Sequence, residues 1–325
     1  MLRIGTNLNS VARYLWHRFI YLLVSLVAAS GIIFILIDIL PGSPGEIILG
    51  TQANKSSVDE LNKKLGLNHP LYIQYFHWLA GLVTLHPGNS YISSQPIGAE
   101  IASAASVTFP LIGLAMAVSL LIALLMGVAG GISYRGKLGT FILGISQAGI
   151  SVPSFVAAML LMVIVGIKLH FLPTTGFNGW SSSVSGSLKS LILPALALAI
   201  AEGCFLSRYV RSSLIDVLNS TYYKTALAKG LTPAKALWRH GRRNVAVEVL
   251  TVSGMQLIAL IVGAVIVESV FSLPGLGTLL VTSINNRDLS TLRDICMILS
   301  GIVLMMNFLI DIAYHLIDPR AFKNV

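Results

Sequence analysis

The sequence predicts an all-α polytopic membrane protein with six transmembrane helices, a helical loop on one face and a basic helical segment on the other. Three observations carry this. Of the 325 residues, 55% are hydrophobic, and the mean hydropathy is +0.80. Only 11% are charged, against roughly 25% in an average soluble domain. The apolar residues are gathered into long runs, and about 20 such residues cross a hydrocarbon core roughly 30 Å thick. Lipid offers no hydrogen-bond partners, so each run must close its backbone bonds internally, as a helix does.

The six runs are Phe19–Leu40, Phe109–Ile132, Phe141–Ile167, Leu191–Leu206, Val249–Phe271 and Ile295–Ile317. The first follows Arg3, Arg13, His17 and Arg18. It is longer than a signal-peptide core and ends in ILPGSPG with no small-x-small cleavage site, so it reads as a retained span. The second carries Gly127 and Gly131, a spacing that lets helix backbones approach closely. The third is interrupted by Ser146, Gln147, Ser151, Pro153 and Ser154. Pro153 removes one helix bond and frees a carbonyl, which a membrane tolerates only where protein or a water cavity covers it. Ser151 and Pro153 are therefore candidates to line a path; the plainer reading is a helix kink. The fourth run is short and is expected to continue as one helix through Arg208–Leu218.

Four acids fall within the runs: Asp38, Glu202, Glu268 and Asp311. Such residues face a bundle interior or a cavity. Glu202 lies well inside the fourth run and is not helix-adjacent to Arg208, so it needs another partner. It either faces a solute path or hydrogen-bonds between helices. Asp38 and Glu268, near the outer ends, read as capping or snorkelling groups, and Asp311 as a helix contact.

Lys and Arg set the orientation. The N-terminus, Ser133–Thr140, Ser207–Glu248 and the C-terminus hold 15 of the 22; the opposite segments hold 7. An excess of Lys and Arg marks the cytoplasmic side. This gives a cytoplasmic N-terminus over 1–18, a transmembrane region over 19–317 and a cytoplasmic tail over 318–325, with an outside loop at 41–106 and an inside loop at 207–248. The same asymmetry accounts for the net charge of +9 without a nucleic-acid partner.

The outside loop reads as folded. Ser57-Val-Asp-Glu60 is a capping-box pattern, and Gly66 is a helix stop. Pro70 can open a second helix, which places Leu71, Tyr75, Trp78 and Leu82 on one face. His69, His77 and His86 share this loop; imidazole suits nickel, copper and zinc, but their spacing is loose and no metal site is assigned. Cys204 and Cys296 lie in apolar runs and form no disulfide framework.

Enzyme motifs are missing: there is no HExxH, GxSxG or CxxC. Gly131–Leu138 spells GxxxxGK, but a phosphate loop needs Ser or Thr next and a strand before it. The chain is not expected to hydrolyse nucleotide.

The stretch Tyr222–Asn244 carries six basic residues and no acid. Asp216–Lys229 reads as one helix, with Leu218, Tyr222, Thr225 and Ala226 on one side. Gly230 breaks it. Thr232 as N-cap and Pro233 at the first helical position restart it, with Ala234–His240 following. A solvated loop drawn to anionic headgroups explains the charges; it explains the ordered break and restart less well.

Here the sequence resembles the inner-membrane permeases of ABC importers, in the dipeptide/oligopeptide/nickel branch. That family has a signature of Glu-Ala-Ala, three residues, then Gly; Lys224-Thr225-Ala226, three residues, then Gly230 occupies its place. Ala228-Lys229-Gly230-Leu231 and Arg243-Asn244 match later elements. Leu65–Leu79, Ser151–Phe155, Leu191–Pro194, Pro274–Gly277 and Asn307–Arg320 follow the family order along nearly the whole chain. Lys224 replaces the leading acid, Glu248 stands where the family has Pro, and His86–Ser90 replaces an Asp-containing turn.

The resemblance implies a type I importer fold and a non-catalytic subunit of a binding-protein-dependent importer in the bacterial inner membrane, both termini cytoplasmic. It implies a second permease, two cytoplasmic ATPase subunits and an extracytoplasmic solute-binding protein as partners. ATP and Mg would sit on the ATPases, and no cofactor on this chain. Tyr223, Lys224, Thr225, Ala226, Leu227, Ala228, Lys229, Gly230 and Leu231 would form the ATPase-coupling helix and its turn. Ser151, Pro153 and Glu202 are the path candidates. The solute would be a di- or oligopeptide, nickel or a metal chelate. The alternative is a stand-alone proton-coupled secondary transporter with Glu202 or Asp311 as carrier; that class favours inverted repeats and broken helices in matching halves. A membrane assembly protein, indifferent to solute, is a third class.

Overall fold

A computed structural model describes residues 8–39, 44–49 and 54–317. The tail at 318–325, with Arg320 and Lys323, lies outside the described residues, as does Arg3. Apart from one bridge between Asn89 and Pro96, the described residues are helical or irregular.

Thirteen α-helices are described: α1 (Leu8–Asp38), α2 (Pro44–Leu49), α3 (Lys55–Lys64), α4 (Leu71–Val83), α5 (Ile97–Ile132), α6 (Lys137–Ser151), α7 (Ser154–Leu161), α8 (Val184–Asn219), α9 (Thr221–Ala228), α10 (Pro233–Ala236), α11 (Arg242–Val270), α12 (Leu276–Asn285) and α13 (Leu289–Ile317). Five of them, α1, α5, α8, α11 and α13, are long and apolar enough to cross a membrane. The sixth span is a bent pair: α6, and α7 with a π-helical turn at Met162–Lys168, meet at 96°. The third apolar run is thus not one straight helix. Its break has a local cause. The residue before a proline is pushed out of the helical region, and Val152 is extended at φ −85, ψ 115. The Gly149 carbonyl, denied a bond from Pro153, takes the Val152 N–H at 3.4 Å.

The fourth run does continue through Leu218, and α8 is 36 residues long. It is also the most enclosed span, with 67% of its apolar window buried, against 33% or less in the other four.

The chain divides into two compact units. The first holds α1–α4, the start of α5, α12 and most of α13. Its core joins Ile97, Ile101 and Ala104 to Leu276 and Ile295. Tyr75 and Trp78 of α4 pack against Phe34 of α1, with ring centroids 5.4 and 5.9 Å apart, and the Ser30 and Tyr75 hydroxyls bond at 2.8 Å. Leu71, expected on that face, is exposed. The capping box at Ser57–Glu60 is not formed. Asn54 caps α3 instead, accepting from the Ser57 N–H at 2.8 Å, so the helix starts before the pattern that was read as its beginning. Gly66 does end this segment, at φ +73. Buried Asp288 caps α13 and ties down a distant turn. Its carboxylate accepts from Ser90 and Thr291 hydroxyls, both at 2.6 Å, and from Ser290 at 2.9 Å.

The second unit is built around α8. Gly127 and Gly131 of α5 face Val210 and Leu214 across the helix crossing. A Cβ on Gly127 would lie 2.5 Å from Val210 Cβ, and one on Gly131 2.6 Å from Leu214 Cδ2. The glycine pair is therefore a packing seam, and Ala123, Leu206 and Val210 form the adjoining core. Glu268 is neither a cap nor a snorkelling group. It is fully buried and accepts a hydrogen bond from Thr108 Oγ1 at 2.6 Å. Position along the helix misled the reading, because the loop after α11 folds back: the Leu273 N–H bonds the Glu268 carbonyl at 2.9 Å.

Candidate functional site

The basic segment is a compact hairpin welded to the ends of two spans. Asp216–Lys229 is two helices, not one, because α8 stops at Asn219. Ser220 is extended (ψ 150), and its hydroxyl caps α9 by accepting from the Tyr223 N–H at 3.4 Å. Ser side chains compete for backbone groups in this way and favour helix starts over helix interiors.

The far end of α9 closes by a Schellman pattern. The Gly230 N–H bonds the Leu227 carbonyl at 2.9 Å, and the Leu231 N–H reaches back to Ala226 at 3.2 Å. The pattern needs a left-handed residue, and Gly230 supplies φ +86. Thr232 then holds the N-cap position of α10 with extended backbone, although its hydroxyl makes no cap bond; Pro233 is at the first helical position as expected. A π-helical turn at Leu237–Gly241 leads into α11.

The inner face of the hairpin is closed. Tyr223, Ala226 and Ala236 are buried together, with Leu218, Leu231 and Leu237 packed around them. The Asn244 amide donates to the Tyr222 hydroxyl at 2.9 Å, joining α9 to α11 directly. The outer face is open: Lys224, Thr225, Leu227, Ala228, Lys229 and Gly230 are exposed. The nine candidate residues thus divide into an inward pair, Tyr223 and Ala226, an outward set, and Leu231 at the boundary.

The three path candidates are on neighbouring elements. Ser151 and Pro153 are exposed at the α6–α7 bend, where the Ser151 hydroxyl donates to the Gln147 carbonyl at 2.9 Å. Glu202 is half-buried on α8 and accepts from the Gln256 amide of α11. Its missing partner is therefore an interhelical one. Gly149 of α6 packs on Cys204, two positions along α8 from Glu202, which sets the bend beside that stretch. The Ser146 and Ser207 hydroxyls bond at 2.9 Å in the same α6–α8 contact. Sequence reasoning missed Gln256, although a lone amide in an apolar run is a visible signal. It also missed a cavity of about 520 Å³ lined by Phe205, Arg208, Tyr209, Arg211 and Glu248.

Residues 119–323 match the family described as the binding-protein-dependent transport system inner membrane component, and residues 11–111 match the N-terminal region of such membrane components. The chain belongs to this permease family. A putative peptide transport system permease protein of Brucella abortus (strain 2308) is 37% identical over 287 residues, covering 88% of this chain and 91% of the relative. The glutathione transport system permease protein GsiC of Salmonella typhimurium is 32% identical over 309 residues, covering 94% and 97%. The fold is shared with the methionine ABC transporter MetNI in inward-facing conformations, at a TM-score of 0.57 and 14% identity over 69% of this chain and 99% of that one.

The permease is thus a multi-pass, non-catalytic membrane component of an importer, and the proton-coupled alternative is not favoured. The near-match to a phosphate loop lies where α5 ends and α6 begins, between two helices. Of the three loop histidines of this permease, His69 and His77 border one cavity, while His86 Nδ1 is engaged with the Thr84 carbonyl of its own turn at 2.6 Å. Among the described residues, no group of three His, Cys, Asp or Glu could hold a metal.

Proposed function

We propose that this permease forms half of the translocation path of a peptide importer and that partner ATPases drive it through Tyr223–Leu231. The observation that carries the reading is the buried Tyr223–Ala226–Ala236 core. Through it α9 is packed against the continuation of α8 and the entry to α11. A push on the exposed face of α9 then moves the two spans that carry Glu202 and Gln256, instead of bending a loose loop. Such coupling needs a packed element with discrete arrangements.

In this reading a second, homologous permease completes the path, and two ATPases bind ATP and Mg on the cytoplasmic side. A binding protein delivers solute to the face bearing loop 41–106. Both termini are cytoplasmic, as the Lys and Arg distribution favours. The relatives named for peptide and glutathione transport favour short peptides over nickel or metal chelates.

The test is Gly230→Arg in the assembled importer. The substitution places a side chain at φ +86 and a bulky cation on the open face. Membrane insertion should be unchanged, while uptake falls at least 10-fold and binding protein no longer stimulates ATP hydrolysis. Uptake and stimulation at the unsubstituted level would contradict the assignment.

A further inference from the structure

The first unit contains a cavity of about 490 Å³ formed by the end of α3, one face of α4, the turn at 87–91 and the first turns of α13. That is the size range of small-organic-ligand sites, which are largely apolar with a few placed polar groups. Ile73, Trp78 and Tyr91 supply much of the wall. Arg293 supplies the cation.

The Arg293 guanidinium is held by rings. Its carbon lies 4.6 Å from the Phe34 centroid and 5.7 Å from that of Trp78. Aromatic faces attract the flat cation but provide no acceptor for its N–H groups. Arg293 Nε is buried and has no hydrogen-bond partner among the described residues. An arginine so placed is costly unless something accepts from it, and its fork matches a carboxylate.

Most neighbouring polar groups are already engaged, while the carboxylates of Asp294 and Asp38 act on Arg293 across space. Asp294 Oδ1 accepts from the Trp78 indole at 2.6 Å. The Gln74 amide nitrogen donates to the Leu67 and His69 carbonyls at 2.9 and 2.7 Å. Lys64 is paired with Glu60 at 2.8 Å on an exposed surface. Burial raises the Tyr91 phenol above its ordinary value, so it stays protonated at neutral pH and can donate. One guanidinium suits a monoanion better than a phosphate dianion, and the apolar wall suits an organic acid better than an inorganic one.

We propose that this cavity binds the carboxylate of a short peptide at Arg293, with Trp78 and Tyr91 as walls. The lining includes none of Ser151, Pro153 and Glu202, and the proposal rests on the peptide-importer reading. It would give the permease its own first contact with solute.

The experiment is isothermal titration of the full-length permease in lipid nanodiscs with trialanine and with trialanine amide, which lacks the carboxylate. Trialanine should bind, and the amide at least 10-fold more weakly. Arg293→Gln should weaken trialanine at least 10-fold and leave the amide unchanged. Tyr91→Phe keeps the ring and should weaken trialanine 2- to 5-fold, which preserves the test if Arg293→Gln does not fold. Equal binding of acid and amide, no binding of either, or unsubstituted affinity in the folded variants would overturn the proposal. A silent cavity would also result if the carboxylate comes from an acidic side chain of a docked protein, and that outcome counts against it. If the cavity is silent while ATPase-dependent peptide uptake persists, only this inference fails. If trialanine binds but uptake needs no ATPase, the importer reading fails instead.

Discussion

The Leu231 N–H bonds the Ala226 carbonyl at 3.2 Å, closing α9 on itself and turning the chain toward α10. Ala226 is buried in the hairpin core, and half-buried Leu231 packs at its edge. The bond therefore ties the exposed turn at Lys229 and Gly230 to that core.

The first prediction concerns that core. Tyr223→Ala removes its largest buried side chain, and deleting a buried aromatic costs about 3–5 kcal/mol. The loss is local to a peripheral element, so the spans should still insert. Proteolysis between Ser220 and Pro233 should quicken, and uptake should fall at least 10-fold. Unchanged cleavage would mean that Tyr223 does not hold the hairpin.

Glu202 and Gln256 join α8 to α11. Interhelical hydrogen bonds in membranes are worth about 0.6–2 kcal/mol. Glu202→Ala should lower the thermal midpoint in detergent, whereas Glu202→Gln, whose carbonyl can still accept, should retain most of it. A Glu202→Gln variant as unstable as Glu202→Ala would show that the negative charge, not the hydrogen bond, matters.

The α5–α8 seam predicts a size limit. Gly127→Leu drives atoms into Val210 and the Ser207 carbonyl, 2.5 and 2.8 Å from the first carbon added. Overpacking of this kind costs about 1–3 kcal/mol. Gly144 of α6 has nothing within 4 Å of such a carbon, so Gly144→Leu should leave stability near its original value. Thermal unfolding of the two variants side by side checks the contrast.

Asp288 predicts a loop phenotype. Asp288→Ala leaves the Ser90 and Thr291 hydroxyls without their acceptor, and each buried unsatisfied group costs about 1–3 kcal/mol. Limited proteolysis should then cut near Ser90–Gln95 sooner than in the unsubstituted permease.

Much of the fold was legible because long apolar runs carry their own signal. The continuation of α8 through Leu218, the stop at Gly66 and the restart at Pro233 all follow from local chemistry. The misreadings share a physical cause: competition between nearby groups. Asn54 outcompeted Ser57 for the α3 cap, and Ser220 ended a helix that side-chain periodicity would have continued. The 96° bend was visible as a proline but not as an angle, since the angle is set by packing of α6 and α7 on α8. Glu268 was misread and Gln256 missed because their roles depend on Thr108 and Glu202, each more than fifty positions away in the chain. Arg293 counted only as one of the outside charges; folding brings Phe34 and Trp78 against it.

The central claim is that the exposed face of α9 meets an ATPase. Cysteine cross-linking in the assembled importer tests it most directly, in a background with Cys204→Ser and Cys296→Ser. Lys224→Cys and Ala228→Cys should cross-link to the ATPase subunit, with yields that change on adding ATP. Ser182→Cys, exposed on the segment before α8, should not cross-link. Absence of cross-links from both α9 positions, or equal yield from Ser182→Cys, would contradict the account.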